Sequence, residues 1–160
     1  MANYWLDANI FITTKEYYHP DIVPGFWQLL AQCTQWGIGS PQAVHDELTK
    51  GNDALATWAK AQKNAPLWVP FDPAVQATYT RIANYVSQTY RADLVADFLR
   101  GADAWLIAYA SVHGGKITTF ENRSGHGVTK LKIPSVGDRF QVTSVDVFMM
   151  LRELGVKFVL

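Results

Sequence analysis

Four acidic residues occupy positions in this chain where a carboxylate is costly without a partner. Asp7 directly follows the short apolar run Tyr4-Trp5-Leu6, and Glu121 follows a second β-prone run. Glu47 and Asp103 lie beside or within the apolar stripes of predicted helices. A carboxylate next to a core is unfavourable unless it is paired or coordinated, and oxygen ligands alone favour Mg²⁺ or Mn²⁺ over zinc. Together the four acids predict a divalent metal site.

Each acid also has an ordinary structural interpretation when it is taken alone. Asp103 lies in the first turn of its predicted helix, where the helix dipole favours an anion. Glu47 alone is typical of a partly exposed helix position, and Glu121 alone is typical of the start of a loop. Asp138 is an alternative fourth acid, although a turn beside Gly137 explains it more simply. The metal hypothesis therefore requires that the four acids lie close together in the folded protein.

The order of the predicted elements would bring these acids together. Short apolar strands alternate with helices, two of which begin at Ser40-Pro41 and Asp72-Pro73, where a capping side chain precedes a proline at the first helical position. Such alternation predicts an α/β sandwich around a mainly parallel sheet. Ligands of open parallel sheets bind outside the carboxyl ends of the strands. We therefore expect Asp7 and Glu121 at that edge of the sheet.

The predicted strands cover residues 4–6, 38–39, 67–69, 117–120, 140–143 and 156–160. The predicted helices cover residues 26–36, 40 to about 51, 72 through 86 and 101–113, with one more capped by Asp53 and a last one that Ser144 caps and Gly155 ends. The polar stretch 122–138 is longer than most connections, which makes it a candidate functional loop.

Composition restricts the class of protein. The chain has 160 residues, of which 49% are hydrophobic and 18% charged, and this predicts one folded domain over residues 1–160. Its 14 basic and 14 acidic residues give a formal charge of zero, which excludes an overall basic coat but not a local basic patch. Cys33 is the single cysteine, so no internal disulfide can form. With no signal segment and no membrane-spanning run in the sequence, we expect a cytoplasmic protein.

The acidic motifs resemble those of PIN-domain nucleases along essentially the whole chain. Asp7-Ala-Asn-Ile-Phe-Ile resembles their opening motif, Val44-His-Asp-Glu-Leu their second-acid segment, and Gly101-Ala-Asp-Ala-Trp their third-acid helix. Ile117-Thr-Thr-Phe-Glu resembles the strand that ends in the fourth acid, which is commonly an aspartate in a Thr-x-Asp setting. Here that acid is Glu121, which reaches one methylene further. The stretch Lys132-Ile-Pro looks like a VapC-like branch of the superfamily.

The resemblance implies a PIN-like three-layer α/β/α sandwich and a Mg²⁺- or Mn²⁺-dependent endoribonuclease, the toxin of a type II toxin–antitoxin pair. Asp7, Glu47, Asp103 and Glu121 would be its catalytic and metal-binding residues, with Glu47 either a ligand or the base for the attacking water. Asn9 would hold a water or a phosphate oxygen, or else stabilise the turn. The products would carry 5′-phosphate and 3′-hydroxyl ends. The implied partners are an RNA substrate, an antitoxin protein and, through apolar helix surface, a second copy of the chain.

Cations near the fourth acid are candidates for holding the RNA backbone. Arg123, His126, Lys130, Lys132 and Arg139 lie in or just after the long loop, and we assign Arg123 and Lys130 to substrate phosphates. Each phosphate contact would steepen the salt dependence of binding. A solvated loop is the alternative for any one of these side chains.

Other functional classes fit the same residues less well. A phosphatase that forms an aspartyl-phosphate on Asp7 would need an aspartate where Asn9 stands. A PIN-like scaffold or RNA-binding protein without catalysis is the main alternative, and the glutamate at position 121 favours it slightly. Three intact acids argue for the nuclease, because a scaffold gains nothing from uncompensated carboxylates beside its core.

Overall fold

The strands form one parallel sheet. The computed structural model describes residues 2–123 and 129–159. Within these ranges the strands are β1 (Tyr4–Leu6), β2 (Ile38–Pro41), β3 (Trp68–Val69), β4 (Lys116–Thr118) and β5 (Ser144–Val145). Their order across the sheet is β3-β2-β1-β4-β5, and every neighbouring pair is parallel. The predicted parallel α/β architecture is confirmed.

Helices cover the sheet in a three-layer α/β/α arrangement. They are α1 (Ala8–Tyr17), α2 (Pro24–Ala31), α3 (Cys33–Trp36), α4 (Gln42–Thr49), α5 (Ala54–Ala61), α6 (Pro73–Thr89), α7 (Ala92–Arg100), α8 (Asp103–His113), α9 (Ile133–Gly137) and α10 (Val147–Glu153), and a 3₁₀ turn spans Asp138–Phe140. Helix α8 packs on β1, β2 and β4, and α6 packs against α8. Helix α4 contacts β2 and β3 and packs with α1 and α5.

Two of the predicted helix caps are confirmed. The Asp72 carboxylate accepts a hydrogen bond of 2.9 Å from the Val75 amide at the start of α6, and Pro73 follows at the first helical position. The Asp53 carboxylate accepts one of 2.8 Å from the Ala56 amide at the start of α5. In both cases the aspartate side chain accepts a hydrogen bond from a backbone amide that has no partner within the first helical turn.

Ser40, however, does not cap the helix that follows it. Its Oγ donates a hydrogen bond of 2.7 Å to the carbonyl of Leu6, and α4 begins only at Gln42. The hydroxyl therefore ties β2 to the end of β1, next to Asp7. A buried carbonyl at the sheet edge needed a donor, and that need outweighed the capping preference of serine.

The prediction for the C-terminal strands is wrong. Residues 140–143 are not a strand, because β5 is Ser144–Val145, and the cap of α10 is Asp146, whose carboxylate accepts from the Met149 amide at 2.7 Å. The described residues 156–159 do not pair with the sheet. Phe158 instead lies against α2, where a Cβ on Gly25 would come within 2.7 Å of its ring.

Other boundaries also differ from the sequence pattern. Helices α1 and α7 were not predicted, and the predicted helix 26–36 is divided at Gln32 into α2 and α3. In α1 the β-branched and aromatic run Ile10-Phe11-Ile12 leaves Ile12 45% exposed, so the apolar spacing does not follow one helix face. The stretch 122–138, predicted as a loop, contains α9 in its last part.

The core is continuous beneath the carboxyl edge of the sheet. Trp5 is fully buried in β1, stacks in a tilted geometry 5.2 Å from Tyr109 of α8, and donates through its indole nitrogen to the Gly114 carbonyl at 2.8 Å. The strand that carries Asp7 is thus fixed to the helix that begins with Asp103. Over residues 2–123 and 129–159, no helix has both the length and the apolar character required to span a bilayer.

Candidate active site

The site lies where the sheet changes its direction of growth. The chain runs from β1 outward to β2 and β3, and then returns to place β4 on the other side of β1. Ligands of open parallel sheets bind at such a switch point, outside the carboxyl ends of the two strands. Leu6 is in register with Thr118, and the Asp7 amide donates to the Thr118 carbonyl at 3.0 Å. Asp7 therefore stands at the switch point itself.

Thr119 orients Asp7 through a hydroxyl whose hydrogen bonds are all assigned. Its Oγ1 accepts from Asn9 Nδ2 at 3.0 Å and from the Glu121 amide at 3.1 Å, and it donates to Asp7 Oδ2 at 2.8 Å. A hydroxyl has one proton to give, and the other two partners are donors, so that proton points at the carboxylate. Asp7 Oδ2 is consequently an acceptor in this arrangement.

Asn9 is held by the end of β4. Its Oδ1 accepts from the Phe120 amide at 3.2 Å, which fixes the orientation of the side-chain amide and turns Nδ2 toward Thr119. In this state Asn9 positions the Asp7–Thr119 pair and joins the β1 and β4 ends. The predicted contact of Asn9 with a water or a phosphate oxygen stays a prediction.

Asp7 and Asp103 are both removed from solvent and close to other acids. Asp7 is 4% exposed, and burial raises its pKa to about 6, although the Thr119 hydrogen bond acts in the opposite direction. Burial also raises the pKa of Asp103 to about 8, with further increases from the charges of Asp7, Glu121 and Glu47. The four predicted acids therefore interact electrostatically in one cluster, which we call the acid cluster (Asp7, Glu47, Asp103 and Glu121). A cation there would relieve this repulsion.

Glu47 reaches the amino end of α8 from α4. Its Oε2 accepts a hydrogen bond of 3.1 Å from the Ala102 amide, one residue before Asp103. A Cβ on Gly101 would lie 3.3 Å from the same oxygen, so the glycine leaves room for the carboxylate. Glu47 is thereby placed beside Asp103 by a backbone donor at a helix terminus, where negative charge is favourable.

Glu121 has cationic and backbone partners in this structure. Lys130 Nζ lies 2.8 Å from its Oε1, and the Ile133 amide donates to its Oε2 at 2.9 Å. Desolvation lowers the pKa of Lys130, but the hydrogen bond to Glu121 and the charges of Asp103, Glu121 and Asp7 outweigh it, and the net pKa is raised. Lys130, which we assigned to substrate phosphate, thus carries positive charge into the acid cluster itself.

The remaining loop cations do not gather at one place. Arg123 forms a two-pronged ion pair with Asp138, with one of its hydrogen bonds at 3.0 Å, and Arg139 lies over the Tyr85 ring at 5.7 Å. Asp138 is therefore bound to an arginine and is not the fourth acid of the cluster in this state. His126 lies outside the described residues.

The donor chemistry of the site fits Mg²⁺ or Mn²⁺, because every acidic side chain offers hard oxygen atoms. Within the described part of the chain, no three His, Cys, Asp or Glu side chains are already arranged to hold a metal ion. Asp7 and Asp103 are the carboxylates with the strongest electrostatic need for a cation. Both oxygens of Glu121 already accept hydrogen bonds, whereas Glu47 has a described partner on Oε2 only.

Thr119 is the site residue that sequence reasoning missed. The available signal was a hydroxyl two positions before an acid at the end of a predicted strand, Thr119-Phe120-Glu121. The contact of Lys130 with Glu121 had no comparable signal in the sequence.

Comparison with known proteins adds a family. The family model described as a domain of unknown function, DUF4411, matches residues 4–158. No curated protein matches the chain. The match includes all four members of the acid cluster together with Asn9, Thr119 and Lys130.

Proposed function

The chain belongs to the DUF4411 family, and we propose that it is a metal-dependent endoribonuclease that hydrolyses RNA phosphodiester bonds. The observation that carries the proposal is the pair of buried acids Asp7 and Asp103, whose pKa values are raised to about 6 and about 8 at the switch point of the sheet. Two desolvated carboxylates that repel each other destabilise a fold unless a cation balances their charge. The resemblance to PIN-domain nucleases and the VapC-like toxins supports the same reading.

The residues of the site would have three roles: to bind the metal ion, to orient a metal ligand and to accept a proton from water. Asp7 and Asp103 would hold Mg²⁺ or Mn²⁺, which when bound lowers the pKa of water and stabilises charge on the leaving oxygen. Thr119 and Asn9 keep Asp7 in one orientation. Glu47, next to Asp103, is the candidate to accept a proton from the attacking water. Attack of water on phosphorus with cleavage of the bond to the 3′ oxygen leaves 5′-phosphate and 3′-hydroxyl ends.

Lys130 adds a cation that can balance either the acids or the substrate. With no divalent ion bound, its ammonium reduces the repulsion among the carboxylates. When a phosphodiester binds and adds its own negative charge, the ammonium of Lys130 can reach it through a movement of the lysine side chain alone. Glu121 then serves chiefly to hold Lys130 and the backbone of Ile133.

The finer assignments follow from the resemblance alone. We propose that the chain is the toxin of a type II toxin–antitoxin pair, acts in the cytoplasm and is neutralised by an antitoxin protein. The alternative function is an RNA-binding or scaffold protein. The partners of Glu121 favour that alternative, since both of its oxygens are already satisfied without a metal ion.

A cleavage assay separates the two functions. Purified protein is incubated with a mixed RNA pool and Mn²⁺ or Mg²⁺, with EDTA, and as the variant Asp103→Asn. Asp97→Asn is the matched control, because Asp97 is an exposed acid paired with Arg100 at 2.9 Å. We expect metal-dependent cutting with 5′-phosphate ends in the wild type and in the control, and none in Asp103→Asn. Cutting that survives EDTA and the Asp103 substitution would contradict the proposal.

A further inference from the structure

A cleft lies next to the acid cluster, at the carboxyl ends of β4 and β5. Its volume is about 500 Å³, within the range of small-ligand sites. Thr119 and Glu121 contribute to its lining from the β4 end, and Ser144, Asp146 and Phe148 contribute from β5 and α10. The cleft is therefore continuous with the proposed catalytic site and shares two residues with its hydrogen-bond network.

The wall from α10 is apolar and open to solvent. Phe148 is 47% exposed and Met149 is 45% exposed, although the other apolar side chains of their helix, Val147, Met150 and Leu151, are buried. An exposed aromatic ring beside polar groups suits a flat, partly polar ligand. Base–aromatic stacking is the common way in which proteins hold single-stranded nucleic acid, since every base has a π face.

The floor of the cleft holds polar atoms that the fold does not satisfy. Ser144 Oγ is buried and has no hydrogen-bond partner among the described residues. Such a hydroxyl is destabilising, and an alanine would avoid the penalty. Asp146 uses Oδ1 to accept from the Met149 amide at 2.7 Å, and no described residue binds its Oδ2. Asp146 Oδ2 is therefore available as a hydrogen-bond acceptor to a ligand.

The charges of the cleft favour a neutral ligand over a phosphate. Arg123, its cation, is paired with Asp138. Asp146 adds a negative charge that no described cation neutralises. A neutral group that offers N–H donors fits this lining better than an anion.

We propose that the cleft binds the nucleobase next to the scissile phosphate, and that Asp146 selects a base with an exocyclic amino group, such as cytosine, over uracil. The inference rests on the proposed function for its scissile phosphate. Phe148 stacks on the base, and Asp146 Oδ2 accepts from the amino group, a contact that aspartate makes to cytosine N4 in nucleic-acid recognition. Uracil presents a carbonyl oxygen at the same position, which the carboxylate would repel.

Binding of cytidine and uridine tests the inference without any cleavage. The full chain is titrated with each nucleoside in EDTA, and binding is followed by saturation-transfer NMR. The two nucleosides share the ribose and differ at position 4 of the base, which would face Asp146, and at the neighbouring N3. We expect cytidine to bind about tenfold more tightly than uridine.

Three variants make the test specific. Phe148→Ala should weaken the binding of both nucleosides about tenfold. The control Phe158→Ala removes a ring of similar exposure (44%) outside the cleft and should leave both affinities unchanged. Asp146→Asn keeps the cap, because asparagine is an equally good N-cap, but it exchanges the free acceptor for a donor. The preference should therefore reverse in favour of uridine.

The outcomes separate this inference from the proposed function. Absence of nucleoside binding, or equal losses in Phe148→Ala and Phe158→Ala, would overturn the base site even if the protein cuts RNA. Equal binding of cytidine and uridine, unchanged in Asp146→Asn, would overturn the role of Asp146. Base binding with the expected preference would support the cleft even if no RNA were cut.

Discussion

Thr119 Oγ1 donates its only proton to Asp7 Oδ2 across 2.8 Å, and this bond joins the ends of β1 and β4. The other two partners of the hydroxyl are the Asn9 amide and the Glu121 backbone N–H, both donors. Asp7 is thus presented to the acid cluster in one orientation. The geometry makes Thr119 a positioning residue whose effect should be visible apart from activity.

Replacing Thr119 with alanine should weaken Mn²⁺ binding by about 10- to 100-fold, the usual range for a residue that orients a metal ligand. The reason is that Asp7 loses both its donor and its fixed orientation. Thr119→Ser retains the hydroxyl and should restore most of the affinity. Calorimetric titration with Mn²⁺ measures the effect, and equal loss in the alanine and serine variants would contradict a positioning role.

The stability of the metal-free protein should fall as pH rises from about 4 to about 8. The pKa of Asp103 is raised from an ordinary 3.8 to about 8 in the fold. In this window the unfolded chain has lost the proton while the folded chain retains it, so the free energy of unfolding decreases with pH. Urea unfolding in EDTA at several pH values gives the slope.

Asp103→Asn should remove most of that slope and stabilise the metal-free protein by about 1–3 kcal/mol at pH 8, because the buried side chain at position 103 then has no proton to lose, and only the smaller contribution of Asp7 remains. Mn²⁺ should raise the melting temperature of the wild type and not that of the variant. Asp97→Asn is the matched control and should change neither. A wild-type stability that is flat between pH 4 and pH 8 would count against the buried, protonated state of Asp103.

Lys130→Met should increase the affinity for Mn²⁺ by about 3- to 10-fold. The Lys130 ammonium lies 2.8 Å from Glu121 and acts on Asp7 and Asp103 as well, so a divalent cation must share the cluster with it. Removing a like charge at this range favours cation binding. Manganese EPR measures free and bound ion, with Lys132→Met as a control in the same segment. Unchanged affinity would mean that Lys130 stays clear of the metal.

Asp72 allows a helix cap and an ion pair to be separated. Its carboxylate accepts from the Val75 amide and also lies 3.0 Å from His113 Nε2. Asp72→Asn preserves the cap and should lower the free energy of unfolding by less than about 0.5 kcal/mol, because the half-exposed Asp72 carboxylate gains little from an imidazole that is charged only when it is protonated. Asp72→Ala loses both interactions and should cost about 1 kcal/mol more. Similar losses in the two variants would assign the stability to the ion pair.

The sequence predicted the caps at Asp53 and Asp72 because a helix cap depends on neighbours within a few positions. The alternation of short strands with helices predicted the parallel sheet, and the position of Asp7 directly after the first strand placed it at the sheet edge. Helix α1 was not predicted, because the run Ile10-Phe11-Ile12 is typical of a strand and its helical conformation depends on tertiary packing. The pairing of Glu121 with Lys130 joins two residues nine positions apart, and no periodic pattern in the sequence indicates it.

The start of α10 could not be predicted from local sequence for a different reason. Ser144 and Asp146 are both good capping residues, and the choice between them decides whether residues 144–145 belong to a strand. The pairing of β5 with β4, with Thr118 opposite Val145, moved the helix start two residues onward. A long-range contact thus selected between two locally equivalent starts.

The separation of 112 residues between Asp7 and Thr119 has a consequence during synthesis. At about 5–20 residues per second, a ribosome adds Thr119 roughly 6 to 22 seconds after Asp7. During that interval the nascent chain carries the first acid without the strand that orients it. A polypeptide released before β4 is made would therefore lack the contact that orients Asp7.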